Sequence, residues 1–355
     1  MRPPGQNLPK ELVSEYFFRK RIFLGTLLVS LGWRAAGTFG SMIRSVCGLR
    51  VTANSPVRWF LLIGLCLLIN VSAAPLSRTI NVGGIQRHYL VVVPPVYDGS
   101  LAVPLVFIFH GKGNDGALEE RITGFTTLAE KKGFIAVYPD GLDHVWDGRR
   151  ESPLSRESGK SDDVAFVSAM IDELESRYKV DPKRIYATGS SNGAVFCHAL
   201  AARLSERIAA IGSVSGSVGE SIPHYFHPKS PVSVIFFNGT DDHLMPYLGI
   251  PHNGNGILSI PNAIAFWVAV DSCATPPIMT TDKPSPLDDG LTIMRLFYAK
   301  DKSICEVSAF IIEHGGHTWP GVHTDPVWAK TAGKTAMSIN ATELMWEFFA
   351  KHPKP

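Results

Sequence analysis

Residues 186–196 read Tyr-Ala-Thr-Gly-Ser-Ser-Asn-Gly-Ala-Val-Phe, two glycines and two serines set between an apolar run and an alanine-rich segment. The run before it, "KRIYAT", has strand character, and residues 192–204 after it read as a helix. A G-x-S-x-G run at a strand-to-helix junction is the context in which a sharp turn lifts the central side chain, here Ser191, above the edge of a sheet. A tight turn of small residues with no chemistry would use the same letters. The rest of the chain has to decide between the two.

Outward from this stretch, β-rich runs alternate with helical patterns from residue 78 onward: "RHYLVVVP", "PLVFIFHG", "FIAVYPDG", "RIYATG", "IAAIGSVSG", "VSVIFFNG" and "VSAFIIEH". Several are nearly continuous apolar runs, as strands covered on both faces require. Val164, Val167, Met170, Ile171, Leu174 and Tyr178 recur at helical spacing over 163–178, headed by Asp162 and Asp163, which suit capping and the helix dipole. Residues 192–204 and 339–351 read as two further helices. The alternation predicts an α/β fold in one domain, a mostly parallel central sheet with helices on both faces. The Pro-, Asp-, Thr- and Lys-rich segment 273–304 reads as a surface excursion. The chain ends just beyond the last helix, so no appended binding module is expected.

A serine hydroxyl becomes a nucleophile when a base takes its proton, and the base needs a carboxylate to orient it. In sheets of this kind the chain order is Ser, Asp or Glu, His. Beyond Ser191, "VSVIFFNG" ends in Thr240-Asp241-Asp242, and "VSAFIIEH" is followed by Gly315-Gly316-His317-Thr318-Trp319. Both partners arrive in order, each just past a strand, with either aspartate available as the acid. The oxyanion donors expected are the backbone N–H of Asn192, at the helix start, and that of Lys112 or Gly113 after "LVFIFHG". His110 reads as the residue that fixes this loop by hydrogen bonding.

The segments "FIFHGKGND", "VYPDGLDHVWDG", "GSSNGA", "NGTDDHLMPY" and "HGGHTWPG" resemble, in order over about residues 78–350, the successive signatures of the secreted polyhydroxybutyrate depolymerase/feruloyl esterase family of α/β-hydrolases. The resemblance implies an α/β-hydrolase fold and a serine carboxylic-ester hydrolase, with Ser191 as nucleophile, His317 as base and Asp242, from the Gly-Thr-x-Asp pattern, as orienting acid. It places the second oxyanion donor at Lys112, where many relatives carry cysteine. Trp319, two residues past the base, and Trp146 are candidates to wall an acyl or aromatic pocket. No cofactor is implied. The scattered histidines, without an H-E-x-x-H run or a Cys/His cluster, give no metal site.

The chain has 355 residues and a formal net charge of +2. That balance hides an asymmetry: residues 1–73 hold nine Lys/Arg against Glu11 and Glu15, leaving 25 basic and 30 acidic residues beyond. An acidic body without a basic face argues against a nucleic-acid partner. Arg58, the apolar run Trp59–Ile69 and Val71-Ser72-Ala73 form a secretory signal with cleavage expected after Ala73. The run is short for a membrane span, so no stable membrane insertion is expected after cleavage. Met42 opens a conventional leader, making 42–73 the signal peptide and 1–41 an over-extended start, with 74–355 as the catalytic domain. Export to an oxidising compartment suggests a disulfide between Cys273 and Cys305, while Cys197 reads as a buried thiol.

The function expected is a secreted serine esterase acting through an acyl-enzyme on feruloyl, acetyl or short polyester substrates. An extracellular poly(3-hydroxybutyrate) depolymerase is the alternative. An acyltransferase on the same fold, or a silent binding protein, would belong to other classes.

Overall fold

The computed structural model describes residues 74–147, 162–253, 256–283, 285–288, 290–299 and 305–355. The leader assigned to 1–73 lies outside the described residues. Ten strands make one sheet: β1 (Leu76–Val82), β2 (Ile85–Val92), β3 (Val103–Phe109), β4 (Ile135–Pro139), β5 (Val180–Ser190), β6 (Ala210–Val214), β7 (Ser233–Gly239), β8 (Ile278–Thr281), β9 (Thr292–Ala299) and β10 (Glu306–Glu313). Their order is β1-β2-β4-β3-β5-β6-β7-β10-β9-β8. Neighbours from β4 to β10 run parallel, and the pairs at either side run antiparallel. The sheet is therefore a parallel spine with antiparallel margins, as the expected α/β fold requires.

The described helices are α1 (Gly116–Thr123), α2 (Phe125–Lys132), α3 (Asp163–Arg177), α4 (Asn192–Arg203), α5 (Ile222–Tyr225), α6 (Ile260–Val270), α7 (Pro326–Ala332) and α8 (Ala341–Lys351). β3 shows why its apolar run is unbroken. Leu105, Phe107 and Phe109 point into a core shared with α3, α4 and α6, while Val106 and Ile108 point into a second core shared with α2 and α8. Both faces of a central strand are thus removed from water, each large side chain contributing about 1.5–3 kcal/mol.

The helix starts follow their capping residues. Asp162 accepts from the N–H groups of Val164 and Ala165. Asp163 instead turns inward, pairs with Arg87 of β2 at 2.8 Å and accepts from Asp147 N–H. The Arg87 guanidinium lies 4.1 Å from the centre of the Phe166 ring, so one buried cation ties α3 to β2. α4 is buried along its whole length except at Arg203, as a helix wedged under the sheet must be.

Two expectations are corrected. The segment 273–304 is not only a surface excursion, because β8 and β9 extend the sheet past β10. β9 is at least partly buried except at Phe297, and its polar flanks conceal it. The expected disulfide is not formed: neither Cys273 nor Cys305 is bonded to another cysteine. Each sulfur has a different partner, the Val307 backbone for Cys273 and the Ser233 side chain for Cys305.

Candidate active site

β3, β5, β7 and β10 all end at the same edge of the parallel spine, and the loops that follow carry Lys112, Ser191, Asp242 and His317. In open sheets of this type, that carboxyl-terminal edge is where ligands bind. At the end of β5 the chain turns directly into α4. Ser191 sits in the turn at φ 54°, ψ −120°, a left-handed conformation that side chains rarely adopt. Its N–H donates to Val214 O at the end of β6 (2.9 Å), which pins the turn to the sheet. Its side chain makes no capping bond to α4, so the hydroxyl is left for other work.

The turn is this tight because Gly193 lacks a side chain. A Cβ there would stand 2.3 Å from Phe109 O and 2.7 Å from His110 O. α4 consequently starts directly against the end of β3. The first N–H groups of a helix have no partner within it, so Asn192 N–H opens toward the site. Its side chain is engaged elsewhere: Oδ1 accepts from Trp146 N–H at 2.7 Å and Nδ2 donates to Trp146 O at 3.0 Å.

The loop after β3 is held by His110, which is fully buried. Gly141 N–H donates to His110 Nε2 at 2.9 Å, so the ring proton sits on Nδ1 and bonds Gly111 O at 2.8 Å. Burial pushes the imidazole below its ordinary pKa and keeps it neutral. The loop runs beside Ser191, since a Cβ on Gly111 would lie 3.4 Å from Ser191 Cβ. Of the two donors considered from sequence, Gly113 N–H is committed to His144 O at 2.8 Å. Lys112 N–H remains.

Across the sheet, His317 Nδ1 bonds Asp242 Oδ2 at 2.7 Å, and both side chains are nearly buried. The carboxylate is itself oriented, because Asp242 Oδ1 accepts from Leu244 N–H (2.9 Å) and Met245 N–H (2.8 Å). Asp241, the other candidate, is exposed and lies beside His314 instead (3.3 Å). β7 and β10 are adjacent, and Gly239 lets their loops close together: a Cβ there would stand 2.2 Å from Gly315 O. Gly316 N–H donates to Lys334 O, which straps the histidine loop to the segment after α7. With Nδ1 bonded to the carboxylate, His317 has Nε2 for proton exchange.

Sequence reading missed the residue that joins these halves. Ser215, one position past β6, donates from Oγ to Thr318 O at 3.3 Å, while its N–H bonds Phe237 O. Nothing in the run "GSVSG" distinguishes that serine from its neighbours. Two assignments are corrected. Trp146 is 2 % exposed, stacks on Phe196 and donates from its indole N–H to His110 O at 3.0 Å, so it braces the loop from behind. Trp319 is 7 % exposed, meets Phe125 edge-on and donates to Thr342 Oγ1, inside the α2/α8 core. Among the described residues no group of three or more His, Cys, Asp or Glu could hold a metal ion, and no helix is long and apolar enough to cross a membrane.

Comparison with known proteins gives this geometry a context. Residues 88–225 match the family model described as Esterase PHB depolymerase. The chain is 28% identical over 290 residues to a protein of Nocardia uniformis subsp. tsuyamanensis named "Putative esterase NocK", covering 78% of this chain and 83% of the relative. It is 25% identical over 206 residues to Feruloyl esterase B of Piromyces equi, spanning 55% of this chain but only 37% of that relative's length. Among solved structures, an acetyl xylan esterase from Aspergillus awamori aligns over 78% of this chain and 99% of its own, with TM-score 0.55 and 16% identity, a likeness of fold.

Proposed function

We propose, on the match of residues 88–225 to the Esterase PHB depolymerase family model, that this chain hydrolyses carboxylic esters at the Ser191 turn through an acyl-enzyme. Ser191 Oγ attacks the ester carbonyl while His317 Nε2 takes its proton, and Asp242 holds the ring and steadies the imidazolium. The N–H groups of Asn192 and Lys112 receive the oxyanion. The imidazolium then protonates the leaving alcohol, and water repeats the cycle to release the acid. The observation that carries this reading is the 2.7 Å bond between His317 and Asp242 on the strand edge that also presents the strained Ser191.

The substrates proposed are feruloyl or acetyl esters of plant polysaccharide, the reading favoured by the printed names of the relatives. Secretion, through the signal read at 42–73, is part of the same proposal. The test is a side-by-side assay of the purified protein on methyl ferulate, acetylated xylan and amorphous polyhydroxybutyrate, with Ser191→Ala as control. Turnover of the first two and a single fluorophosphonate adduct on Ser191 are expected. Faster release from the polyester would replace the substrate assignment, and undiminished turnover by Ser191→Ala would remove the mechanism.

A further inference from the structure

We propose that Glu119 is a positioning residue for the Ser191 turn: its buried carboxyl receives the Ser190 hydroxyl directly behind the nucleophile, and a charge placed on it there opposes ester turnover. The proposal rests on the assignment of Ser191 as nucleophile.

Glu119 lies in the first turn of α1 and is wholly buried. Its Oε1 accepts from Ser190 Oγ at 3.1 Å, and its Oε2 has no hydrogen-bond partner. The backbone there is fixed as well, since Thr123 Oγ1 donates to Glu119 O at 2.8 Å. Ser190 is the residue immediately before Ser191. A Cβ on Gly111 would lie 3.5 Å from Ser190 Oγ and 3.4 Å from Ser191 Cβ. The Ser190 hydroxyl therefore sits against the Gly111 backbone, with the carboxyl of Glu119 behind it. One buried acid touches the turn that carries the nucleophile and belongs to the helix that follows the oxyanion loop.

The groups that sense Glu119 do not compensate a charge. Cys197 from α4 and Tyr138 from β4 both feel it, and burial holds both in their neutral forms. Glu120, next on α1, accepts from Thr126 Oγ1, which in turn meets the Tyr138 hydroxyl. The Ser190 hydroxyl is the one interaction acting on Glu119 that favours its charged form. A carboxylate so placed is poorly solvated, and burial raises the acid from 4.5 to about 8. At neutral pH the acid holds its proton and exerts no net charge on the site. When it releases that proton to solvent, a negative charge stands behind the turn where the tetrahedral oxyanion must form. Such a charge opposes the transition state far more than the neutral ester, so the loss falls on turnover.

The experiment is a pH series on the full chain with p-nitrophenyl acetate, with folding followed by circular dichroism at each pH. The infrared band of a protonated carboxyl is recorded alongside it as a readout independent of turnover. Wild type is expected to lose about fivefold or more in kcat/KM between about pH 6.5 and about pH 9.5 while remaining folded. Glu119→Gln, which mimics the neutral acid, is expected to stay flat over that range and to lose the Glu119 share of the titrating carboxyl band, leaving that of Asp271. Ser190→Ala removes the bond that favours the carboxylate and is expected to move the decline to higher pH. The same decline in wild type and Glu119→Gln overturns the proposal, as does a titrating carboxyl band identical in the two proteins. If Glu119→Gln does not fold, an unmoved decline in Ser190→Ala overturns it. Turnover surviving in Ser191→Ala would remove the nucleophile assignment, while the difference in the band between wild type and Glu119→Gln would still report the state of Glu119.

Discussion

A serine held at φ 54°, ψ −120° costs about 1–3 kcal/mol relative to relaxed backbone, and the bond from its N–H to Val214 O over-determines the turn against that cost. Glycine adopts this conformation freely, so Ser191→Gly is expected to raise Tm by about 2–4 °C while abolishing ester turnover. A scanning calorimetry trace together with an assay checks both halves, and a lowered Tm would mean that the turn stores no strain. Asp242 makes the complementary case. Its side chain is almost fully buried and holds three bonds, one of them to His317. Asp242→Asn keeps the shape but loses the charge that steadies the imidazolium. A fall in kcat of roughly 100- to 10,000-fold with little change in KM is expected, measured under saturating substrate.

At the scale of elements, the site is a set of loop ends cross-braced by hydrogen bonds from neighbouring side chains. Trp146 is the clearest brace, because its backbone grips the Asn192 amide while its indole holds His110 O. Trp146→Phe keeps the stacking on Phe196 and leaves the His110 carbonyl unpaired in the core. A loss of about 1–3 kcal/mol is expected, read as a lowered denaturant midpoint. A smaller fall in kcat/KM should follow from the loosened loop. This brace marks where sequence reading stopped. The strand-to-helix turn, the chain order of Ser191, Asp242 and His317, and the strands of the parallel spine were legible because continuous apolar runs and glycine-flanked loops leave their mark locally. The tryptophans were read as pocket walls because proximity along the chain says nothing about which way an indole points. β1, β8 and β9 were missed for a related reason: antiparallel margin strands are half-exposed, and their pattern merges with that of a polar loop. The choice between Asp241 and Asp242 rested on resemblance in the sequence, and only the geometry puts one aspartate against His317 and the other against His314.

Over the whole molecule, buried titratable groups set opposing demands on pH. Glu119 is raised from 4.5 to about 8 and Asp271 from 3.8 to about 7, both chiefly by burial. Each group favours the folded state while it keeps its proton. Their stabilisation is complete below the unfolded pKa and drains as pH climbs through the folded one. His198 acts in the other direction. It is wholly buried between α4, β6 and α6, accepting from Trp267 Nε1–H at 3.0 Å on Nδ1 and facing Ser213 Oγ at 3.1 Å with Nε2. Burial lowers it from 6.5 to about 3. The unfolded chain takes up that proton first, so the contribution of His198 is complete above pH 6.5 and drains as pH falls toward 3, by up to about 1.4 kcal/mol per unit. Between about pH 4.5 and 6.5 the two trends overlap and partly cancel, and a single stability profile would conceal both. A difference measurement separates them. His198→Gln can accept from Trp267 and donate to Ser213 without titrating. Its stability relative to wild type, from urea midpoints, is expected to improve by about 2 kcal/mol between pH 7 and pH 5. A constant difference across that interval would mean that His198 is protonated inside the fold, and the neutral Trp267–His198–Ser213 chain would then have to be redrawn.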